Sequence, residues 1–136
     1  MRSKPKRKRK SPRKLLIKKL DTIFSKFIRL RFAKEEMCTC VTCGKTDHYK
    51  KMQAGHFISR RHYSTRWEEA NVQVQCYACN VMRYGEQFRF GLYLEKNYYI
   101  GIAEKLLEQS REISKYTDSY IEEQIEYYNK IVQELN

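Results

Sequence analysis

Four cysteines in two pairs constrain this chain more than any other feature. Cys40-x2-Cys43 is followed by 32 residues and then by Cys76-x2-Cys79. Each knuckle turns two sulfurs toward one ion, so the pair of knuckles reads as a tetrahedral zinc site. Such a site closes the stretch between the knuckles into a loop. Four thiolates leave no open coordination position, so the expected role of this zinc is structural. The chain has 136 residues, enough for one compact domain whose small core would depend on a metal for much of its stability. The fifth cysteine, Cys38, stands too close to Cys40 for the usual knuckle and is assigned as a spare thiol. An odd cysteine count, knuckle spacing and no recognisable signal peptide point to metal-bound thiolates in a reducing cytosol. No apolar run is long enough to cross a bilayer.

The polar residues inside the loop carry the chemistry. His56 follows Gly55 between the knuckles, and Asn80 directly follows Cys79. A histidine and an amide held together by a metal staple are a minimal apparatus for cutting a phosphodiester: a general base and a magnesium ligand. Neutral at physiological pH, His56 can take a proton from an attacking water. Gly55 would allow substrate backbone to approach the strand. Arg60, Arg61 and Arg66 follow the base and are candidate phosphate ligands, although a solvated basic loop is nearly as good a reading of each. His62 is a further candidate for phosphate. The main rival to His56 is His48, preceded by Asp47 but very near Cys43.

The order Cys-x2-Cys, Gly-His, Asn-x4-Cys-x2-Cys-Asn resembles the HNH, or ββα-metal (His-Me finger), nucleases. Four segments are closer to one branch of them: Cys40-Val41-Thr42-Cys43-Gly44, Gln53-Ala54-Gly55-His56-Phe57-Ile58-Ser59-Arg60, Asn71-Val72-Gln73-Val74-Gln75-Cys76 and Cys79-Asn80. They are similar to the NinG (Rap) recombination proteins of lambdoid phages, as is Phe24-Ser25-Lys26-Phe27-Ile28-Arg29-Leu30-Arg31. The resemblance runs from about Leu15 to the C-terminus. It implies a phage-encoded protein of the host cytoplasm and an α+β fold, a zinc-stapled ββα core at about 38–90 flanked by N- and C-terminal helices. It further implies that Asn71 orients the loop carrying the base, and that the substrate is branched DNA such as a Holliday junction or D-loop. Many HNH proteins carry Asp before the histidine and His after the second knuckle, where this chain has Gly55 and Asn80. Endonuclease VII of the T-even phages resembles this chain in placing Asn after the second knuckle. A magnesium or manganese ion held by one asparagine, phosphate oxygens and water is chemically reasonable, since magnesium keeps several waters. A second acid such as Glu86 is a candidate helper. The resulting expectation is a metal-dependent DNA endonuclease; the alternative is a non-catalytic, zinc-stabilised protein that binds branched DNA.

Charge divides the chain into an arm and a body. The net charge is +12, and residues 2–14 hold nine Lys or Arg and no acid, leaving 19 basic against 16 acidic residues elsewhere. Residues 1–14 are expected to be a disordered basic arm, with Lys6, Arg7, Lys8, Arg9 and Lys10 contacting DNA phosphates, and 15–136 a single domain. A solubilising or localisation tail is the blander reading of the arm. Ser11-Pro12 should cap a helix lasting to about Lys34, with Leu16, Leu20, Phe24, Phe27 and Leu30 or Arg31 on one face. Lys18, Lys19, Lys26 and Arg29 should face elsewhere. Strands are expected at 53–58 and 71–74, pairing as a hairpin with a long connection. A helix should begin near 78–80, limited by Gly85, and a further one near 102–109. The last helix should run from a cap at Thr117 or Ser119 to about Leu135, with Ser119 and Glu122 as a candidate capping box. Its stripe of Ile121, Ile125, Tyr128, Val132 and Leu135 suits core packing, or a homodimer seam.

Overall fold

The computed structural model describes residues 2–5 and 11–135. The five arm residues Lys6, Arg7, Lys8, Arg9 and Lys10 lie outside the described residues. Helix α1 (Pro12–Leu30) starts where Ser11 and Pro12 direct it, with the Lys14 amide donating to Ser11 Oγ at 3.3 Å. Arg13, assigned to the arm, is helical and donates to Asp118 Oδ1 at 2.5 Å. The helix ends four residues earlier than the apolar pattern predicts. Glu35 and Glu36 both adopt left-handed φ, 50° and 65°, and turn the chain so that Lys34 and Met37 exchange backbone hydrogen bonds of 2.9 Å. Neither residue is a glycine or asparagine, so no turn signal preceded it.

Leu20, Phe24, Phe27, Ile28 and Leu30 form the buried face of α1. They pack against helix α5 (Asp118–Leu135), with Tyr128 set 5.1 Å from the Phe24 ring and 4.9 Å from the Phe27 ring. Ile121, Tyr128 and Val132 of the α5 stripe are buried there with Ile125 packed against them, while Leu135 at its end is exposed. Thr117 caps α5 by accepting from the Tyr120 amide at 3.1 Å, which settles the choice against Ser119.

Two small antiparallel pairs follow α1 in sequence, the second packing against it, giving an α+β fold. Strands β1 (Met37–Thr39) and β2 (Thr46–His48) form an unforeseen hairpin with the first knuckle in its turn. Strands β3 (Gln53–His56) and β4 (Val72–Gln75) pair as the sequence predicts, Gln53 opposite Gln75 and His56 opposite Val72. Their long connection contains helix α2 (Tyr63–Arg66) and a helical turn at Glu69–Asn71, both too short to show periodicity in sequence. After β4 the chain makes a short π-helix at Ala78–Met82 and then the left-handed residues Tyr84, Gly85 and Glu86. Helices α3 (Gln87–Asn97) and α4 (Ile102–Ser110) follow. Their Phe90, Leu94, Ile102 and Leu106 form a second core against Phe57 and Ile58, which braces the residues just beyond His56.

Arg29 of α1 and Arg31, the residue that caps its end, act as internal clamps. Arg29, expected outside, is half-buried and donates from Nη1 to the Tyr49 carbonyl at 2.9 Å. Arg31 donates from Nη2 to the carbonyls of Glu69 and Val72 and to Gln73 Oε1, at 2.9 to 3.1 Å. Among the described residues, no helix is long and apolar enough to cross a membrane.

Candidate metal centre and adjoining cleft

The first knuckle is shaped by backbone hydrogen bonds from Cys40 N to Lys45 O (2.8 Å) and from Gly44 N to Cys40 O (2.9 Å). Gly44 sits at φ 80°, a left-handed position that glycine adopts without cost. Val41 N donates to Val74 O at 2.9 Å and ties this knuckle to β4, whose next turn carries the second. The four sulfurs of Cys40, Cys43, Cys76 and Cys79 lie within 4.8 Å of one another, and Cys43 and Cys76 are 3.7 Å apart. Zinc–sulfur bonds of about 2.3 Å in a tetrahedron need sulfurs roughly 3.8 Å apart, so the set fits a structural metal such as zinc. Burial opposes ionisation of Cys40, but hydrogen bonds from the Thr42 side chain and from the backbone of Cys76, Thr42 and Cys43 outweigh it and bring its pKa to about 6. Cys38 is buried outside the cluster, and burial pushes its thiol pKa up.

Beside the staple, β3, the π-helix and α1 enclose a cleft of about 400 Å³. His56, Asn80 and Arg60 line it together with Asp21, Ser25 and Phe24. His56 closes β3, and its Nε2 lies 2.9 Å from the Arg66 carbonyl oxygen. A carbonyl can only accept, so Nε2 carries the proton and Nδ1 keeps the lone pair. Nδ1 has no hydrogen-bond partner among the described residues. Burial is the main cause that holds the His56 pKa below its ordinary value, with the charges of Arg66 and Arg60 adding to it. The Arg66 carbonyl and Asp21 pull the other way without prevailing. The side chain is therefore a neutral acceptor at neutral pH.

Asn80 donates from Nδ2 to Gln53 Oε1 at 2.7 Å. This bond fixes the amide and leaves Oδ1, its one atom able to ligate a cation, outside any hydrogen bond among the described residues. Asn71 is fully buried and holds the strand connection at three points. Its Oδ1 accepts from Ile58 N at 2.8 Å, and its Nδ2 donates to the carbonyls of Ile58 and Thr65 at 3.1 and 3.0 Å.

The three arginines divide. Arg60 and Arg61 are exposed, and Arg60 reaches the cleft. Arg66 is committed elsewhere: its Nε and Nη2 fork onto both oxygens of Asp21, its Nη1 donates to Arg60 O, and Tyr63 and Trp67 lie under its guanidinium. That geometry makes Arg66 an internal clamp rather than a free phosphate ligand. His48 stands apart from the cleft, with Nε2 on Glu36 and Nδ1 accepting from Lys50 N, so both nitrogens are occupied. His62 Nε2 accepts from Arg61 Nε at 3.4 Å. Glu86 faces Arg83 at 3.9 Å and does not line the cleft.

Gly55 has a different reason from the expected one. A Cβ there would sit 1.9 Å from Gln75 Oε1, so the missing side chain makes room for Gln75 rather than for substrate. Gln75 is fully buried and donates to Thr42 Oγ1 and Gly85 O at 3.1 and 2.8 Å, linking both knuckles.

Asp21 is the site residue that the sequence reading missed. One signal was available, since it is the sole carboxylate in the first 34 residues. A second basic groove, of about 750 Å³, shares Asp21, Ser25 and Arg60 with the cleft and runs along Lys14, Lys18 and Arg29.

Fold and cysteine cluster together define a small α+β protein whose four clustered thiols could hold a structural metal. Residues 1–136 match the family model described as bacteriophage lambda NinG protein, and the chain belongs to that family. No curated protein and no solved structure matches it.

Proposed function

We propose that this protein is a metal-dependent endonuclease that hydrolyses DNA phosphodiesters in branched recombination intermediates such as Holliday junctions and D-loops. The observation that carries the reading is the cleft itself. A neutral histidine with Nδ1 unprotonated, an amide oxygen without a partner and an exposed arginine line one cavity, although they come from three separate segments. The antiparallel pair β3–β4 followed by the turn bearing Asn80 is the order of the ββα-metal nucleases, which the sequence resembles. The substrate class rests on that resemblance.

In this reading His56 Nδ1 accepts the proton of the attacking water, and the Arg66 carbonyl stabilises the imidazolium that forms. Asn71 holds the loop beyond the base, and Arg60 faces the charge that develops on the phosphate. Asn80 Oδ1 would hold a magnesium or manganese ion, which when bound supplies positive charge for the scissile phosphate and the leaving oxygen. The basic groove along α1 suits the flanking DNA backbone. The staple is closed to chemistry and keeps His56 and Asn80 in register. Two coordinated cuts at a junction would be supplied by two copies of the chain, acting in the host cytoplasm.

The test is cleavage of synthetic four-way junctions and linear duplex with Mg²⁺, Mn²⁺ or EDTA. His56→Ala should keep zinc, fold and junction affinity while cleavage falls about 10²–10⁴-fold, the usual worth of a positioned base. Asn80→Ala should also lose cleavage, with partial recovery in excess Mn²⁺, which binds such sites more tightly than magnesium. A parent protein that binds junctions but cuts nothing with any divalent ion would leave a zinc-stabilised branched-DNA-binding protein as the reading.

A further inference from the structure

We propose that Asp21, on the N-terminal helix, is a positioning residue for His56 and acts through Arg66; the catalytic part of this inference rests on His56 being the base. The connection is continuous. Asp21 Oδ1 accepts from Arg66 Nε at 2.9 Å, and Oδ2 accepts from Arg66 Nη2. Trp67 Nε1 donates to the same Oδ1 at 2.9 Å, so two consecutive residues of the strand connection are anchored on one carboxylate. The backbone carbonyl of Arg66 then accepts the His56 Nε2 proton.

The fork matters because it bonds the very residue whose carbonyl accepts from His56. Helix α2 has no side-chain cap, and its last residue is Arg66. Asn71 grips this connection at Ile58 and Thr65 but makes no bond to Arg66. Arg66 Nη1 adds a bond to Arg60 O, which closes the loop on itself without tying it to another element. Gln109 of α4 donates to the Ser64 carbonyl at 2.9 Å and holds the start of α2, whereas Asp21, 45 residues away in sequence, anchors Arg66 itself. The pair is largely shielded, with the Arg66 side chain 11% exposed and that of Asp21 25%, which favours a fixed fork over an exchanging surface pair.

Three donors already occupy the Asp21 carboxylate, which sets it apart from a free metal ligand or a second base. Its task is to hold the acceptor that selects the imidazole tautomer. With the anchor gone, the Arg66 carbonyl drifts, the Nε2–H form loses its preference, and Nδ1 becomes protonated in part of the population. An orienting group that works on a histidine from one step away is worth roughly 10–100-fold in activity.

Charge separates this role from DNA binding. Among the described residues, Asp21 is the only acid lining a groove whose other charged residues are Lys14, Lys18, Arg29, Arg60 and Arg66. Removing its charge leaves phosphate attraction unchanged or stronger, so a positioning defect appears in kcat and not as weaker junction binding.

The experiment reads the His56 ring nitrogens by two-bond ¹H–¹⁵N correlation NMR in zinc-loaded protein without DNA. The parent should show the Nε2–H tautomer. Asp21→Asn should move the ring shifts toward a mixture, with zinc content unchanged. With junction DNA, kcat should fall about 10–100-fold at equal or tighter affinity, and Asp21→Asn should add little to His56→Ala. Should Asp21→Asn fail to fold, Arg66→Lys keeps the charge and loses the fork, and it should move the same ring shifts. Parent-like ring shifts in either folded variant would overturn the proposal. A parent protein that cuts nothing would overturn the nuclease reading alone, because the NMR result needs neither DNA nor cleavage.

Discussion

His56 shows how much one residue's environment decides. Burial holds its pKa below the ordinary value of about 6.5, and neighbouring arginines reinforce that direction. Two pH effects follow. As pH falls, the unfolded chain binds this proton before the folded one, so stability declines from about pH 6.5 down to the folded value and is unaffected above it. If His56 is the base of the proposed nuclease, it stays unprotonated below the usual histidine range, so the acid limb of kcat/KM should lie below pH 6.5. A pH–rate profile with its limb at or above 6.5 would contradict this. Gly55 supplies a second test at the same scale. Gln75 is buried and its Nε2 makes two hydrogen bonds, so moving its amide away from a new Cβ would cost both. Gly55→Ala should destabilise the fold by about 1–3 kcal/mol through overpacking. The loss should shrink when Gln75 is also shortened, as a double-mutant cycle in urea would measure.

Among the elements, the knuckles were legible because their information is local. Two cysteines three positions apart define a turn whatever surrounds them, and both turns formed where the sequence predicts. Strands β3 and β4 were legible as well, since the knuckles bracket them. The hairpin of β1 and β2 was not: strands of three residues carry no readable alternation, and the reversal that starts it uses left-handed glutamates. Structural zinc contributes of order 10 kcal/mol to small modules, comparable to the whole stability of a domain. Elemental analysis should therefore find one zinc per chain. Cys76→Ser should lose the zinc and unfold β3, β4 and the π-helix, seen as lost amide protection. Cys38→Ser should retain the metal, because Cys38 lies outside the cluster.

For the whole molecule, charge and helix packing bear on the proposed binding of DNA. The Ser11 cap and the Arg13–Asp118 pair fasten the start of α1 to α5, so the arm proper ends at residue 10. Deleting residues 2–10 removes seven basic side chains and spares those contacts. The slope of log K against log salt should then fall by several units, at most about six, with cut positions unchanged. An unchanged slope would assign the arm to another task.

The sequence by itself determined the four-cysteine cluster, the strands it brackets, the amphipathic helices and the nearness of His56 and Asn80, which line one cleft. Each of these is written in spacings of a few residues, where covalent reach and helical or strand period leave little freedom. Tertiary structure alone decided that Asp21 meets Arg66, that Arg29 and Arg31 turn inward onto carbonyls, and that Gly55 makes room for Gln75. Those contacts depend on where α1 crosses the β3–β4 pair once its apolar face has found α5. That burial is non-directional and acts between residues far apart in the chain, so it leaves no local pattern to read.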